Sequence, residues 1–327
     1  MNGHWVKKKQ ILALLDHSDY VSGEQIAQKV GLSRTAVNNH ISQLLDYGVD
    51  IYSVKGKGYK LSNPLPLFDE AKLLAAIDNR CFYFDDINST NAFMLQHADE
   101  LKTGDICIAE YQSAGRGRRG RNWVSPYGHH VYASIFWRLN QGMNAAMGLS
   151  LIVGCSIVKT LEKYGVENLG LKWPNDIYKD NKKLAGILIE LSGHSLDECN
   201  LVIGFGINMS MSNKHAEAID QPWSDLSALA EIPNKTDLMI DLHQQLKSDL
   251  RLFELQGLTP FIPQWEKHDL FIHKEVDLIM APHSLSGICR GIDQQGAILL
   301  EINGNFTSHI GGEISLRASA KQPYLFT

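Results

Sequence analysis

Two prolines in the segment 63–66, Asn-Pro-Leu-Pro, divide this chain into two unequal parts. Proline fixes its own φ and donates no backbone hydrogen bond, so such a segment ends regular structure and forms a semi-rigid connection. Residues 1–63 hold eight Lys and Arg against five Asp and Glu, whereas the remainder has an excess of acidic residues. We therefore predict a small basic head and a larger acidic body, with different tasks.

The head has the pattern of a helix-turn-helix. Apolar residues at helical spacing indicate a first helix around residues 11–15, and a capping pattern at Ser22 opens a second. Gly31 ends the second helix, and Ser33 can cap a third that is apolar on one face only. Two short helices joined at a glycine, with polar side chains opening the second, are typical of DNA-binding modules.

A hairpin pattern at residues 51–61, with lysines at its tip, predicts a wing behind the third helix. Tip lysines suit phosphates, and polar side chains at the start of the recognition helix suit base edges. The alternative is a module that contacts protein. The candidate DNA-binding residues are Ser22, Ser33, Arg34, Thr35, Asn38, Asn39, Lys55 and Lys57.

The body alternates helical stretches with short apolar runs, which predicts a mixed α/β domain on one sheet. The best helix candidate is 145–164. The candidate strands are 81–84, 106–110, 130–137, 169–172, 184–191 and 201–207. From about residue 270 onward, short strands separated by turns predict a small SH3-like β barrel. The fold class is therefore α+β, with domains at 1–63, 67–269 and 270–327.

The seven residues 115–121, Gly-Arg-Gly-Arg-Arg-Gly-Arg, follow a predicted strand and have the chemistry of a small-anion site. Glycines let backbone N–H groups approach an anion closely, and guanidinium groups match phosphate and carboxylate oxygens in bidentate geometry. We expect an anionic ligand to order this loop. The alternatives are a solvated basic loop and a contact with single-stranded nucleic acid.

Further polar sets lie where predicted strands end. Ser89-Thr90-Asn91 precede a helical pattern, the segment 172–178 is a Pro-containing turn with an amide and a carboxylate, and Lys183 begins a strand. Gly204 and Gly206 lie within another strand and indicate close approach of a neighbouring group. Helix capping or solvation explains most of these sets when each is taken alone.

Taken together and in this order, the motifs resemble those of the bacterial biotin-protein ligases. The resemblance rests on 115–121 with Trp123, Lys-Trp-Pro-Asn-Asp at 172–176, Lys-Leu-Ala-Gly at 183–186, 204–208 and 312–317. With the winged helix-turn-helix in front, the whole chain resembles the bifunctional subgroup that also represses the biotin operon. This resemblance implies that biotin reacts with Mg-ATP to form biotinyl-5′-AMP, which then acylates a lysine of an acceptor protein.

The resemblance also implies roles for particular residues. Arg118 and Lys183 would be catalytic. The biotin site would comprise Ser89, Thr90, Asn91, Gln112, Arg116, Gly117, Arg118, Lys183, Gly204 and Gly206. The ATP and adenylate site would comprise Arg118, Arg119, Arg121, Trp123, Asn175, Asp176, Asn208 and Arg317. Asn175, Asp176 and Asn208 are also candidates for Mg²⁺ neighbours, but the sequence offers no dedicated metal site, and burial is an alternative reading of Trp123.

The implied cofactors and partners are biotin, ATP and Mg²⁺, the biotin carboxyl carrier protein of acetyl-CoA carboxylase, operator DNA and, with the adenylate bound, a second copy of the chain. We expect a cytoplasmic protein without membrane contact, because the longest nearly apolar run, 145–158, is short and residues 1–9 lack a signal-peptide pattern. Five scattered cysteines support neither disulfides nor zinc.

Three other functions are less consistent with the sequence. A repressor that only senses biotin would not need arginines that handle pyrophosphate. A ligase for another carboxylate, such as lipoate, fits the Gly/Arg loop less well. A plain nucleic-acid-binding protein conflicts with the acidic body, because phosphates repel it.

Overall fold

The structure is a computed structural model that describes residues 3–139, 148–192, 199–211, 215, 217, 219–280, 283–310 and 314–319. Residues 145–147 of the predicted helix 145–164, and residues 312 and 313 of the last family motif, lie outside these ranges. Within the described residues, none of the helices combines the length and apolar character needed to span a bilayer.

The head has the predicted helices and hairpin, but its first helix lies earlier than the predicted 11–15: only Ile11 and Leu12 of that range are helical, and Leu14 lies in the turn that follows. It contains helices α1 (Gly3–Leu12), α2 (Gly23–Val30) and α3 (Arg34–Asp46) and a hairpin of β1 (Ile51–Val54) and β2 (Gly58–Leu61). Ser22 and Ser33 both cap helices, and the cap at Ser22 is a complete capping box with Gln25. Gly31 ends α2 at φ 67°, in the left-handed region that glycine adopts without strain. The helix-turn-helix with a wing is thus present in the structure.

The body is built on one mixed sheet. Helices α4 (Glu70–Ala76), α5 (Thr90–Gln96) and α6 (Leu149–Lys163) are followed by α7 (Lys235–Gln256) and α8 (Ile262–His268). The strands are β3 (Cys81–Phe84), β4 (Ile106–Ala109), β5 (His130–Leu139), β6 (Leu169–Lys172), β7 (Asp176–Lys179), β8 (Lys182–Ser192) and β9 (Cys199–Asn208). Their order is β3-β4-β5-β9-β8-β7-β6, and only β3 and β4 pair in parallel. All six predicted strands are present, and β7 was missed within the predicted turn 172–178.

Both faces of the central sheet are covered, because neighbouring residues of a strand point to opposite faces. On β4, Ile106 and Ile108 belong to the large core beneath α6 and α7, whereas Cys107 belongs to a smaller core that includes Met94 of α5. The strand ends beside α5 therefore remain available for polar side chains, and the site lies there.

The last part of the body is an open antiparallel sheet. It contains β10 (Glu275–Met280), β11 (His283–Ile292), β12 (Ile298–Ile302), β13 (Asn305–His309) and β14 (Ile314–Ala318) in the order β13-β12-β11-β10-β14. No pairing between β13 and β14 is seen among the described residues, so the sheet is open there and the predicted SH3-like barrel is not confirmed. Val276 and Leu316 belong to the same core as the central sheet. Arg317 on β14 is thereby brought to the site.

Head and body meet through aromatic rings. Trp5 of α1 stacks on Tyr127 with centroids 4.4 Å apart, and Tyr47 contacts Tyr111 edge to face at 4.8 Å. The Tyr47 hydroxyl donates to Asp86 Oδ2 at 2.7 Å. Tyr127 belongs to the head's hydrophobic cluster, which is separate from the body core.

Asp269 is a buried carboxylate between the central sheet and the C-terminal strands. Its Oδ1 accepts from the Phe271 N–H at 2.9 Å, and the next residue, Leu270, donates to Leu171 O of β6. Burial raises the pKa of this carboxyl to about 6.

Because the folded protein holds this proton more tightly than the unfolded chain, the contribution of Asp269 to stability is largest below about pH 4 and is lost as pH rises through 6. We expect the free energy of unfolding of the wild type, relative to Asp269→Asn, to fall by up to about 3 kcal/mol between pH 4 and 7. Urea unfolding of both proteins across that range measures the difference. Parallel pH profiles would contradict the assignment.

Candidate functional site

A cavity of about 850 Å³ opens at the strand ends beside α5. It gathers residues from the α5 N-terminus, the Gly/Arg loop, the segment between β6 and β7, β8, β9 and β14. The predicted residues on its wall are Ser89, Thr90, Asn91, Gln112, Arg116, Gly117, Arg118, Arg119, Arg121, Trp123, Asn175, Asp176, Lys183, Gly204, Gly206 and Arg317. Asn208, the remaining predicted residue of the body site, lines an adjoining cavity of about 360 Å³ with Arg121, Trp123 and Lys183.

One end of the cavity is a hydrogen-bonded polar cluster. Gln112 Oε1 accepts from the backbone N–H of Thr90 at 2.9 Å and from its hydroxyl at 3.2 Å. The Ser134 hydroxyl lies 2.7 Å from Thr90 Oγ1 and 2.5 Å from Asn91 Oδ1. Ser89 caps α5 through the Ala92 N–H, so its hydroxyl serves the helix as well as the wall. These bonds fix the donors and acceptors that a small polar ligand would meet.

The two glycines of β9 make room for side chains, as their positions in an apolar strand predicted. A Cβ at Gly204 would lie 2.0 Å from Asn91 Oδ1, and a Cβ at Gly206 would lie 2.6 Å from the Trp123 ring. Trp123 also covers Gly186 of β8, where a Cβ would approach the ring to 3.0 Å. The glycines therefore set where Asn91 and Trp123 stand.

Gly204→Ala is expected to lower the free energy of unfolding by about 1–3 kcal/mol, because the new methyl group displaces Asn91 in a packed wall. Removing the obstructing side chain in Asn91→Ala/Gly204→Ala should recover part of that loss. Urea unfolding of the single and double variants measures both effects. If Gly204→Ala unfolded like the wild type, the close approach described here would be wrong.

The Gly/Arg loop is pinned at its base and basic at its tip. Trp123 N–H donates to Gly115 O at 2.9 Å, and Gly117 N–H donates to Arg121 O at 2.7 Å. A Cβ at Gly115 would lie 2.5 Å from Trp123 O, so only glycine fits there. Arg119 stands at φ 59° between its neighbours in a short 3₁₀ turn, Arg118–Gly120. Closing the base places several guanidinium groups on one side of the cavity.

Two of these guanidinium groups are held by named partners. Arg118 Nη1 donates to Asn175 Oδ1 at 2.9 Å, and Asn175 in turn donates to Ile187 O at 2.8 Å. Arg116 Nη2 lies 3.1 Å from Glu190 Oε2. Burial lowers the pKa of the Arg118 guanidinium, against the opposing charge of Asp176. An arginine stays protonated at neutral pH even so, and partial desolvation strengthens its pull on an anion.

Lys183 stands between a carboxylate and an aromatic ring. Its Nζ lies 2.8 Å from Asp176 Oδ1 and 5.4 Å from the Trp123 ring centroid. Its backbone N–H donates to Pro222 O, and its carbonyl accepts from the Ser224 N–H. These bonds hold the intervening Trp223, which lines the adjoining cavity, beside β8. The buried Nε1–H of Trp123 has no hydrogen-bond partner among the described residues, which fits a wall completed by a ligand.

Polar residues around the site that were not predicted include Lys172, Tyr178, Ser134 and Glu190, and the cavity wall adds Asn122, Asp180, Asn181, Lys182, Asp220, Gln221, Ser315 and Ser319. Lys172 donates to the Tyr178 hydroxyl at 3.1 Å, and burial lowers the pKa of its ammonium. Ser134 completes the polar cluster, and Glu190 binds both Arg116 and Asn91. Ser134 could have been found as a polar residue within the apolar run of β5, and Lys172 could have been found because it belongs to the motif at 172–176.

The predicted DNA-binding face lies on the head and away from the cavity. Ser22 and Ser33 use their hydroxyls as helix caps. The exposed members of the set are Ser33 before α3, Arg34, Thr35, Asn38 and Asn39 on α3, and Lys55 and Lys57 at the wing tip. The outward orientation predicted for α3 is confirmed.

Comparison with known proteins agrees with these two parts. Residues 82–208 match the biotin/lipoate A/B protein ligase family, and residues 7–60 match an HTH domain. The chain is 45% identical to the bifunctional ligase/repressor BirA of Escherichia coli (strain K12) over 95% of this chain and 98% of that protein. It is 27% identical to the bifunctional ligase/repressor BirA of Bacillus subtilis (strain 168) over 94% and 98%.

Among solved structures, a biotin protein ligase from Aquifex aeolicus in complex with biotin and ATP superposes with a TM-score of 0.63 at 26% identity. The match covers 73% of this chain and 99% of that one. The chain is 45% identical to a bifunctional ligase/repressor along nearly its whole length, and both of its parts match family models. The chain therefore belongs to the family of bifunctional biotin ligase/repressors.

Proposed function

We propose that this protein activates biotin with Mg-ATP in the cavity of about 850 Å³ and transfers it to a lysine of a biotin carboxyl carrier protein. The observation that carries the proposal is one wall joining a polar cluster at Thr90 and Gln112 to the cations of Arg118 and Lys183. The polar end of such a wall suits a neutral ring that forms hydrogen bonds. The cationic end suits a reaction between two anions, the biotin carboxylate and the ATP phosphate.

The polar cluster would hold the ureido ring of biotin. Ser89, Thr90, Asn91 and Gln112, with the backbone around Arg116 and Gly117, supply donors and acceptors, and their mutual bonds keep them oriented. Gly204 leaves the space that Asn91 occupies, so it would act through position rather than contact. Gly206 would act likewise through Trp123.

Lys183 and Arg118 would do the chemical work. A biotin carboxylate oxygen attacks the α-phosphorus of ATP, the bond from that phosphorus to the pyrophosphate oxygen breaks, and negative charge grows on the phosphate. Lys183 would exchange its Asp176 partner for the carboxylate and then for the acyl phosphate. Arg118, held by Asn175, would retain the adenylate. Positioned cations lower this barrier without forming a covalent enzyme intermediate.

The nucleotide would lie along the rest of the wall. Trp123 would offer a ring for adenine, and Arg119, Arg121, Asn208 and Arg317, which line the two cavities, would meet the nucleotide's phosphates or sugar. Mg²⁺ would enter with ATP. Asp176, with Asn175 beside it, offers the oxygen ligands that Mg²⁺ prefers. The acceptor lysine would then attack the biotin carbonyl, lose its proton and release AMP.

The same adenylate would control repression. We infer that the adenylate-bound chain dimerises and that the dimer binds operator DNA through two heads, so unused adenylate favours repression. Analytical ultracentrifugation with and without biotin and Mg-ATP tests this. A dimer that forms equally well without ligand would contradict it. We further propose that the C-terminal strands belong to an SH3-like domain and that the protein works in the cytoplasm.

Pyrophosphate release tests the activation step. The purified protein is incubated with Mg-ATP and biotin, with Mg-ATP and lipoate, and with Mg-ATP alone. We expect release with biotin only. Tight biotin binding without release would leave a sensing repressor, and release with lipoate would point to the other branch of the matched ligase family.

A further inference from the structure

A side-chain hydrogen bond joins the wing of the head to the recognition helix. The Tyr59 hydroxyl on β2 donates to Asn38 Oδ1 on α3 at 3.1 Å. Both residues lie at the surface, and Asn38 belongs to the exposed polar face of α3.

The position of Tyr59 is itself fixed by the backbone. Its N–H donates to Val21 O and its carbonyl accepts from Val21 N–H, each at 2.9 Å, so β2 is tied to the segment that enters α2. The ring then lies over Gly23, where a Cβ would stand 3.3 Å from Tyr59 Cε2 and 3.7 Å from Arg34 Cγ. The absence of a side chain at position 23 gives this ring its place beside α3.

A fixed partner matters for an asparagine because its two amide ends offer opposite chemistry. A free amide can rotate to present either its oxygen or its N–H groups, whereas one whose oxygen accepts a hydrogen bond presents its N–H groups outward. Outward N–H groups match base acceptors in the major groove, such as guanine O6 and N7 or thymine O4. Ordering the side chain before binding also reduces the entropy lost on binding.

We propose that Tyr59 is a positioning residue for base readout, which orients the Asn38 amide so that this side chain discriminates one base pair of the operator. The proposal rests on the proposed DNA binding of the head. The wing thereby contributes to sequence specificity through the recognition helix, in addition to any contact of its lysines with phosphates.

The test is a binding selection from a randomised double-stranded DNA library, using full-length protein with biotin and Mg-ATP, followed by sequencing. Asn38→Ala identifies the base-pair position that Asn38 reads, because preference at that position is lost. Tyr59→Phe, which removes only the hydroxyl, is expected to reduce preference at the same position by about three- to tenfold, the value of one hydrogen bond. The double variant should match Asn38→Ala.

Tyr52→Phe is the matched control. Tyr52 pairs with Lys60 on the neighbouring strand, and neighbouring residues of β2 point to opposite faces, so Tyr52 lies on the face opposite Tyr59. This variant should keep the full preference. Biotin-dependent pyrophosphate release should be unchanged in all four variants, which separates readout from folding and catalysis.

Two results would overturn the proposal. In one, Tyr59→Phe keeps the wild-type preference at the Asn38 position; in the other, it weakens binding to all sequences equally. If the wild type selects no sequence at all, the proposed operator binding fails first, and the role of Tyr59 fails with it. That outcome is distinguishable from the first two results, because in both of those the wild type still selects an operator sequence.

Discussion

Replacing Lys183 by methionine is expected to lower biotin-dependent pyrophosphate release by about 10²- to 10³-fold, the range seen when one preorganised charge-stabilising group is removed. The Lys183 ammonium is the cation that stands beside Asp176 and the Trp123 ring within the cavity wall. Methionine keeps much of the side-chain volume but cannot neutralise charge on a carboxylate or a phosphate. The loss should therefore fall on the rate of activation more than on the fold.

Initial rates of pyrophosphate release at saturating ATP and biotin measure this effect. Lys163→Met is the control, because Lys163 at the end of α6 is exposed to solvent and lies on neither cavity wall. It should retain nearly full activity, and both variants should unfold at nearly the wild-type urea concentration. Equal rates for Lys183→Met and Lys163→Met would remove Lys183 from the proposed chemistry.

Replacing Lys235 by methionine is expected to lower the free energy of unfolding by about 3–5 kcal/mol, because it leaves a buried carboxylate without its counter-charge. Lys235 Nζ lies 2.6 Å from Glu110 Oε2, and the two side chains are 1% and 0% exposed. The ammonium also donates to Gly128 O at 3.2 Å and lies 4.1 Å from the Phe68 ring centroid. Glu110 Oε1 in turn accepts from the Phe68 N–H.

Urea unfolding of Lys235→Met measures this loss. The double variant Glu110→Gln/Lys235→Met removes both charges and should recover part of the stability. Lys72→Met serves as the surface control, since Lys72 and Asp237 form an ion pair that is nearly half exposed and should contribute less than about 1 kcal/mol. A loss of unfolding free energy at Lys235 no larger than that at Lys72 would show that the buried pair stabilises the fold no more than a surface ion pair does.

This pair also bears on the site. Glu110 accepts from the Phe68 N–H, close to the connection from the head, and lies two residues before Gln112 of the polar cluster. We expect a loosened pair to weaken biotin binding as well as stability. The aromatic contacts of Tyr47 with Tyr111 add a second path between head and cavity.

Local patterns predicted most of the fold, because short-range rules govern caps, turns and strand alternation. Ser22, Gly31 and Ser33 marked their helix ends correctly, since each acts within a few residues of itself. Helix α7 was missed although Leu238, Leu242, Leu246 and Leu250 recur every four residues along it. Many polar residues lie between them, so the segment gave a weak apolar signal. Strand β7 was missed because Pro174 and the charged residues around it favoured a turn.

The sequence indicated which residues lie together in the cavity wall better than it indicated which of them contact one another. Sequence order showed that Gly204 and Gly206 admit a close neighbour, but Asn91 and Trp123 are more than 80 positions away along the chain. The partners of Lys183 and of Lys235 depend on strand order and helix packing, which no local rule fixes. The roles assigned to residues came from the family resemblance, and the geometry described here adds their order along one wall.

We propose that one cavity makes an adenylate and passes its acyl group to a protein lysine. Protein is loaded with labelled biotin and Mg-ATP, freed of unbound nucleotide, and mixed with a biotin carboxyl carrier domain, and the label on the carrier is measured. We predict that the label moves to one carrier lysine with release of AMP, and that Lys183→Met protein, loaded for the same short time, transfers at least about 10²-fold less label. A carrier that stays unlabelled, or one that is labelled without ATP, would contradict the account.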